Sequence, residues 1–213
     1  MENFRRASSA QSRTALLDAA EQVFAERGFE ATSIRDVTDQ AGVAHGLVRH
    51  YFASKEGLWR AMIDRAIDRY AAAMTPHAAR AAANTADPLA ATRAAARGFL
   101  EVSMRHPRVV RLMLHESIGG GSRLDFLLSR YLQVAATMAP LFKAAQDDGY
   151  LRGFDQASMF LFMLTAGAAP FALPALSAGV LGARLEPDTG DAERHINRIL
   201  DTLLGPAPDQ SGR

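Results

Sequence analysis

The stretch AGVAHGLVRHYFASKEGLW, residues 41–59, sets a short helix between a breaker at Gly42 and a cap at Ser54. A helix this short does not hold in water alone, so the face it buries and the face it leaves free decide the fold around it. At about 100° per residue, with Val48 as the inward direction, Phe52 falls near 40°, Ala44 near −40° and Tyr51 near −60°, on the packed side. Gly46 near 160°, His50 near 200°, Arg49 near 100° and Leu47 near 260° face outward. Taken singly, a His or Arg on a short helix is most often solvated surface. Here they share one face with a glycine that permits close approach of a duplex. In a major groove Arg49 can fork onto guanine O6 and N7 or hold a phosphate, Leu47 can pack on a thymine methyl, and His50 can reach a base edge or a phosphate.

Upstream, residues 12–27 put Leu16, Leu17, Ala20, Val23, Phe24 and Arg27 at helical spacing, and Gly28 stops that helix. Thr32 and Ser33 open the next. Ser33 and Asp36 have capping-box spacing, with Asp where Glu is usual, and Ile34, Val37, Thr38 and Ala41 form the inner face. Downstream, Ser54 caps a long fourth helix that turns Leu58, Trp59, Met62, Ile63, Ala66, Ile67 and Tyr70 inward, and Thr75 with Pro76 is expected to end it. Two short helices across a Gly42 turn, buttressed by longer ones, make a helix-turn-helix. Tyr51, Lys55 and the open N–H groups at the start of the fourth helix suit phosphate clamping.

Ala, Leu and Arg are abundant in the rest of the chain and strand-like alternation is almost absent, so it too reads as helix. After an Ala-rich connector, Asp87 and Pro88 open a helix to about residue 105, and His106–Pro107 separates it from a short helix ending near His115. IGGGS, residues 118–122, is a flexible joint. From Leu124 to Ala145 apolar residues fall at steps of three and four, which predicts one helix ended by Asp147–Gly149. An eighth helix starts near Asp155, and a ninth, amphipathic, runs from about Asp188 to Leu204. Residues 156–183 carry no charge, enough to span a bilayer. Yet Gly167, Pro170, Pro174, Gly179 and Gly182 interrupt the run, and neither Trp nor Tyr flanks it. The reading is a helix covered by a second copy of itself, with Ala168, Ala172 and Ala175 small enough for close approach.

The 213 residues carry 24 Lys+Arg against 23 Asp+Glu, so affinity for a polyanion has to come from local charge. Arg5, Arg6 and Arg13 form one basic group, and Arg49, Lys55 and Arg60 with two histidines form another. The absence of cysteine excludes disulfides, thiol catalysis and thiolate metal sites. The first twenty residues show neither a signal-peptide run nor a twin-Arg export signal, so the cytoplasm is the expected location. Enzyme motifs fail in turn. His115 and Glu116 begin an HExxH that ends on Gly119, the glycines at 119–121 lack the Lys of a phosphate loop, and Ser122 is not inside G-x-S-x-G. No catalytic residue, metal or cofactor is expected, and the protein is not read as an enzyme.

Residues 12–59, with GFEATSIRDVTDQAGV leading into HGLVRHYFASKEGL, resemble the N-terminal domain of the TetR/AcrR family of bacterial transcriptional regulators. The rest of the chain resembles that family in its helical layout and its near-uncharged eighth helix. The resemblance implies an all-α homodimer in which helices two and three bind an operator and helices eight and nine pair the subunits. It also implies a pocket among helices five to eight for a small hydrophobic ligand, and it places Thr32, Ser33 and Arg35 near a phosphate. Departures fall on the recognition helix itself: Ala44 where Ser is frequent, His45 for the usual basic residue, Leu47 for the usual Thr and Arg49 for a frequent aromatic. Base preference is therefore not transferable from relatives.

The expected DNA interface is Thr32, Ser33, Arg35, Ala44, His45, Gly46, Leu47, Arg49, His50, Tyr51 and Lys55. The candidate ligand wall, drawn from inner faces of helices five to eight, is Phe99, Met104, Met113, Phe126, Met138, Phe142, Phe162 and Met163, with His106 and His115 as polar additions. Ordinary core packing accounts for most of these. The expected organisation is an all-α fold of about nine helices. Residues 1–57 form the helix-turn-helix domain, 1–10 of them a flexible basic arm; residues 58–205 form a ligand-binding and dimerisation domain, and 206–213 a disordered tail. Such a molecule is a ligand-responsive repressor with three partners: an inverted-repeat DNA operator, a small hydrophobic effector and a second copy of itself, with no membrane. The alternatives are a sequence-tolerant DNA binder, an activator of the same fold, or a carrier or enzyme using the C-terminal cavity.

Overall fold

The computed structural model describes residues 2–83, 87–151 and 153–206, with side chains from Ser9 onward. No strand occurs among the described residues. Among the described residues eleven helices follow one another: α1 (Glu2–Arg27), α2 (Ile34–Ala41), α3 (Gly46–Phe52), α4 (Lys55–Ala82), α5 (Pro88–Arg105), α6 (Pro107–Gly119), α7 (Ser122–Ala136), α8 (Ala139–Asp147), α9 (Gln156–Ala172), α10 (Pro174–Leu181) and α11 (Gly190–Leu204). They group into two compact units, Met1–Arg69 with Arg111–Tyr131, and Tyr70–Val110 with Leu132–Arg213.

In the first unit the apolar stripe of α1 meets α2 and α3. Leu16, Ala20, Phe24, Val37, Val48, Leu58, Trp59 and Met62 are fully buried, which is the inner face that the spacing assigned to each helix. At about 25 cal/mol per Å² of apolar area removed from water, each large side chain here stabilises the unit by roughly 1.5–3 kcal/mol. The second unit is built on α5, which packs against α8, α9 and α11 around Leu100, Met104, Met163, Phe171, Ile196 and Leu200.

Five departures from the spacing-based expectation have local causes. First, α1 begins at Glu2, so residues 2–10 are helical where a flexible arm was expected; no Gly or Pro interrupts this stretch. Second, α4 does not end at Pro76 but continues to Ala82, because one missing backbone donor is offset by the alanines on either side. Gly98 of α5 makes room for this extension: a Cβ there would stand 2.4 Å from the Cβ of His77. Third, α6 runs past His115 to Gly119, and the chain turns at Gly120 and Gly121 with φ of 66° and 82°.

The fourth departure is that the expected long helix from Leu124 to Ala145 is two. Pro140 clashes with the carbonyl four residues back, and α7 ends at that residue, Ala136. Fifth, the uncharged run is bent by 94° between α9 and α10. Within α9, residues 163–168 form a π turn just before Pro170, and the Ala169 N–H donates to the Leu164 carbonyl five residues back. Pro174 then cannot bond the Pro170 carbonyl, and the buried hydroxyl of Ser177 donates to it instead, at 2.6 Å. No single described helix is long and apolar enough to cross a membrane. Residues 207–213 of the expected tail lie outside the described residues.

Candidate nucleic-acid interface

Ser33 caps α2 in the arrangement its spacing predicts. Its hydroxyl accepts from the Asp36 N–H at 3.1 Å, and Asp36 Oδ2 accepts from the Ser33 N–H at 2.7 Å. The Ser33 hydroxyl, which also donates to Asp36 Oδ2 at 2.5 Å, and after it the Ser33 N–H hold the Asp36 carboxyl below the usual carboxylate range, with Arg27 at 3.2 Å adding to the effect. Gly42 closes the helix in the left-handed conformation at φ 65°, a position natural for glycine. Arg35 is exposed, 3.6 Å from Asp39 on the next turn. Thr32 departs from expectation: its side chain is buried and its hydroxyl donates to the Gly28 carbonyl at 2.7 Å, so that hydroxyl closes the α1–α2 turn and is not presented outward.

On α3, Val48 and Phe52 are buried while Gly46, Arg49 and His50 are exposed and Leu47 is half-exposed, as the helical wheel requires. Ala44 was placed on the packed side but is exposed. It precedes the helix, whose first residue is Gly46, so the wheel does not extend to it. His45 occupies the cap position and makes no side-chain capping bond. Losing a Ser-type cap costs about 1 kcal/mol. Tyr51 is half-buried, and its hydroxyl bonds Ser9 of α1, 2.8 Å from Oγ and 3.2 Å from the carbonyl oxygen. Arg13 lies 5.4 Å from the centre of the Phe52 ring. Through Ser9 and Arg13, α1 is thus tied to α3, the Ser9 link joining residues 42 apart that no local spacing announces.

The α3–α4 joint is tight. Ser54 accepts the Gly57 N–H on its hydroxyl at 3.0 Å, while Ala53 turns the chain at φ 65°. Behind it, the Phe29 ring of the α1–α2 turn carries two cations, Lys55 Nζ at 4.2 Å and the Arg123 guanidinium at 4.0 Å from its centre. Burial pulls the Lys55 pKa down; nearby Glu30 opposes this and Arg123 adds to it. Arg123, at the start of α7, also bonds Glu116 at 3.0 Å and Glu30 at 2.8 Å.

The residues of the candidate ligand wall are divided between the two units. Met113 and Phe126 belong to the first unit, where Met113 is buried and Phe126 lies 6.0 Å from Trp59 and 4.6 Å from Arg60. Met104 and Met163 are core of the second unit, and Phe99, Phe142 and Phe162 pack at its edge. Met138, also buried, sits at the α7–α8 break. Of the two histidines, His106 lies 6.2 Å from Tyr70 in the second unit, and His115 covers Gly28 in the first. A cleft of about 510 Å³ opens between α8 and α9, lined by Phe142, Lys143, Gln146, Leu151, Gln156 and Met159 among others. Leu161 on α9, Leu173 at the bend, and Leu176, Val180 and Leu181 on α10 are exposed, large apolar side chains within the uncharged run 156–183.

A three-helix unit whose short third helix buries Val48 and Phe52 and turns Arg49 and His50 outward is the fold of helix-turn-helix DNA-binding proteins. Residues 16–62 match the sequence profile of the bacterial regulatory proteins of the tetR family. Over 200 residues the chain is 30% identical to the HTH-type transcriptional regulator RutR of Escherichia coli strain K12, covering 92% of this chain and 91% of that one. The chain belongs to the TetR family of transcriptional regulators. A stretch of 46 residues is 52% identical to the HTH-type transcriptional repressor KstR2 of Rhodococcus jostii strain RHA1, and it spans 22% of either protein. Among solved structures, the hemolysin II transcriptional regulator HlyIIR superposes with a TM-score of 0.65 at 20% identity, covering 92% of this chain and 98% of that one. AibR, solved with isovaleryl coenzyme A and operator DNA, gives 0.63 at 21%, covering 92% and 100%.

Proposed function

We propose that the protein is a cytoplasmic, homodimeric repressor that reads an inverted repeat with α3 and is released by a small hydrophobic effector. The observation that carries this reading is the division of α3, with Val48 and Phe52 anchored in the core and Gly46, Leu47, Arg49 and His50 on the outer side. Ser33, Arg35, His45, Tyr51 and Lys55 surround that face as phosphate contacts. In a dimer the two α3 helices enter successive major grooves about 34–36 Å apart. The uncharged, exposed leucines of α9 and α10 support pairing of subunits through the C-terminal helices.

In this reading residues 1–57 read DNA, and residues 58–205 bind the effector and pair the subunits. An effector that fits one dimer geometry better than the other shifts the population and spoils the groove spacing. The aromatic and methionine side chains around Met104 and Met163 support an apolar effector, and the AibR complex shows that a protein of this fold accommodates an acyl thioester.

The test is selection of bound duplexes from a random library with the purified chain, which should recover an inverted repeat. On that duplex Arg49→Ala should cost about 1–3 kcal/mol and relax preference at one position per half-site, whereas Lys55→Ala should weaken all sequences alike. Undiminished binding by both variants would show that α3 is not the reading helix.

A further inference from the structure

Arg123 lies in α7, outside every element proposed to read DNA, yet two of its three contacts lead back to the turn between α1 and α2. Its Nε donates to Glu116, a carboxylate with only 5% of its side chain exposed, at 3.0 Å; a terminal nitrogen meets Glu30 at 2.8 Å; and its guanidinium lies 4.0 Å from the centre of the Phe29 ring. Glu116 fixes the arginine from within, because a buried carboxylate stripped of its partner is costly. Glu30 is at the other end, 81% exposed in the turn that leads to Ser33 and Arg35. The same Phe29 ring carries the ammonium of Lys55 at 4.2 Å.

Remove the guanidinium and two changes follow from charge alone. Glu30 becomes a bare carboxylate beside the expected phosphate contacts, where it repels the duplex. Lys55 loses a like-charged neighbour and keeps an attractive one, so Glu30 and Phe29 hold its ammonium away from DNA. We infer that Arg123 is a positioning residue for operator binding: anchored by Glu116, it neutralises Glu30 and thereby leaves Lys55 available to a phosphate. The inference rests on the proposed DNA-binding role and adds to it a control point in α7, reached across the glycine turn at residues 119–121.

The experiment is a mutant cycle on the selected duplex, with affinity measured over a range of salt concentrations. Arg123→Met should weaken binding about tenfold at low salt, as loss of a favourable local charge does, and reduce the steepness of the salt dependence by about one unit per half-site as Lys55 leaves its phosphate. Glu30→Gln alone should bind at least as tightly as the wild type. Added to Arg123→Met, it should restore most of the lost affinity and the salt dependence, a rescue that a purely structural role for Arg123 does not produce. If Arg123→Met melts because Glu116 is stranded, the same pair is compared in a Glu116→Gln background, where no buried charge is orphaned. A double variant as weak as Arg123→Met, or an Arg123→Met that binds like the wild type, overturns the inference. Failure of the wild-type chain to bind any duplex overturns the DNA-binding reading first and this one with it.

Discussion

Gly57 and Ala53 govern the joint that presents α3. A Cβ on Gly57 would stand 2.0 Å from the Phe52 carbonyl oxygen, and backbone cannot yield as a side-chain tip can. Gly57→Ala therefore overpacks the joint at a cost of about 1–3 kcal/mol or more. In a chain of this size each kcal/mol lowers Tm by about 2–4 °C, so thermal melting should show a drop of several degrees together with weaker duplex binding. An unchanged Tm would mean that α3 and α4 do not meet as described. Ala53 is the opposite case. With φ 65° and ψ −38°, and the Ser54 N–H bonded to the Phe52 carbonyl at 2.8 Å, it sits in a γ-turn that strains any residue with a Cβ. Ala53→Gly removes strain of about 1–3 kcal/mol and gives back about 0.4–1 kcal/mol in unfolded-chain entropy. The variant should unfold at higher denaturant concentration. Neither effect is visible in the letters alone: Gly57 reads as a weak helix residue and Ala53 as a strong one.

Among the helices, α9 and α11 are joined by a buried histidine. His195 of α11 is bonded through Nε2 to the Gly167 carbonyl in the π turn at 2.9 Å, which requires the Nε2–H tautomer, and its ring meets Phe171 edge-on. Burial pushes its pKa below the usual 6.5; the bond to Gly167 opposes this and Arg198 adds to it. Above pH 6.5 the ring is neutral in both folded and unfolded chains and costs nothing. As pH falls through 6.5 the unfolded chain takes up a proton that the folded one resists, so stability declines toward acid. Denaturant titrations between pH 7.5 and pH 5 should show this loss in the wild type and a flatter profile in His195→Gln. Equal slopes would mean that the imidazole is not held neutral by its surroundings. Period alone placed α11 and the start of α9, but it drew α7 and α8 as one helix and α9 and α10 as another. In both cases a proline at a specific offset decides, through the carbonyl four residues back.

Across the whole molecule, the charge balance of +1 leaves no long-range field to hold DNA, so affinity depends on where cations are placed and, in the proposed dimer, on pairing two recognition helices. In the proposed dimer the exposed apolar side chains of α9 and α10 supply the pairing surface. Val180, 73% exposed, and Leu176, 59% exposed, lie on the same short helix. Replacing both with Asp should turn a dimer into a monomer by light scattering, and operator binding should fall with it, because one recognition helix reads only half a site. A dimer that survives both changes would place the subunit interface elsewhere.

The sequence by itself determined the reading unit. The spacing of Leu16, Phe24, Val37, Val48 and Leu58, the capping pair Ser33 and Asp36, and the turn at Gly42 are local signals, each fixed by backbone geometry within a turn or two of helix. They also fixed which face of α3 is free, although Thr32 and Ala44 escaped them: one hydroxyl turned inward to a carbonyl, and one alanine fell just outside the helix. What only the tertiary structure decided is which distant residues share a unit. Residues 111–131 close on the N-terminal helices, Ser9 reaches Tyr51, and Arg123 reaches Glu30 across 93 positions of chain. Charge pairs of this kind carry no periodicity. An arginine in α7 looks the same in sequence whether it faces solvent or neutralises a carboxylate beside the DNA-reading helices, and only packing brings the two together.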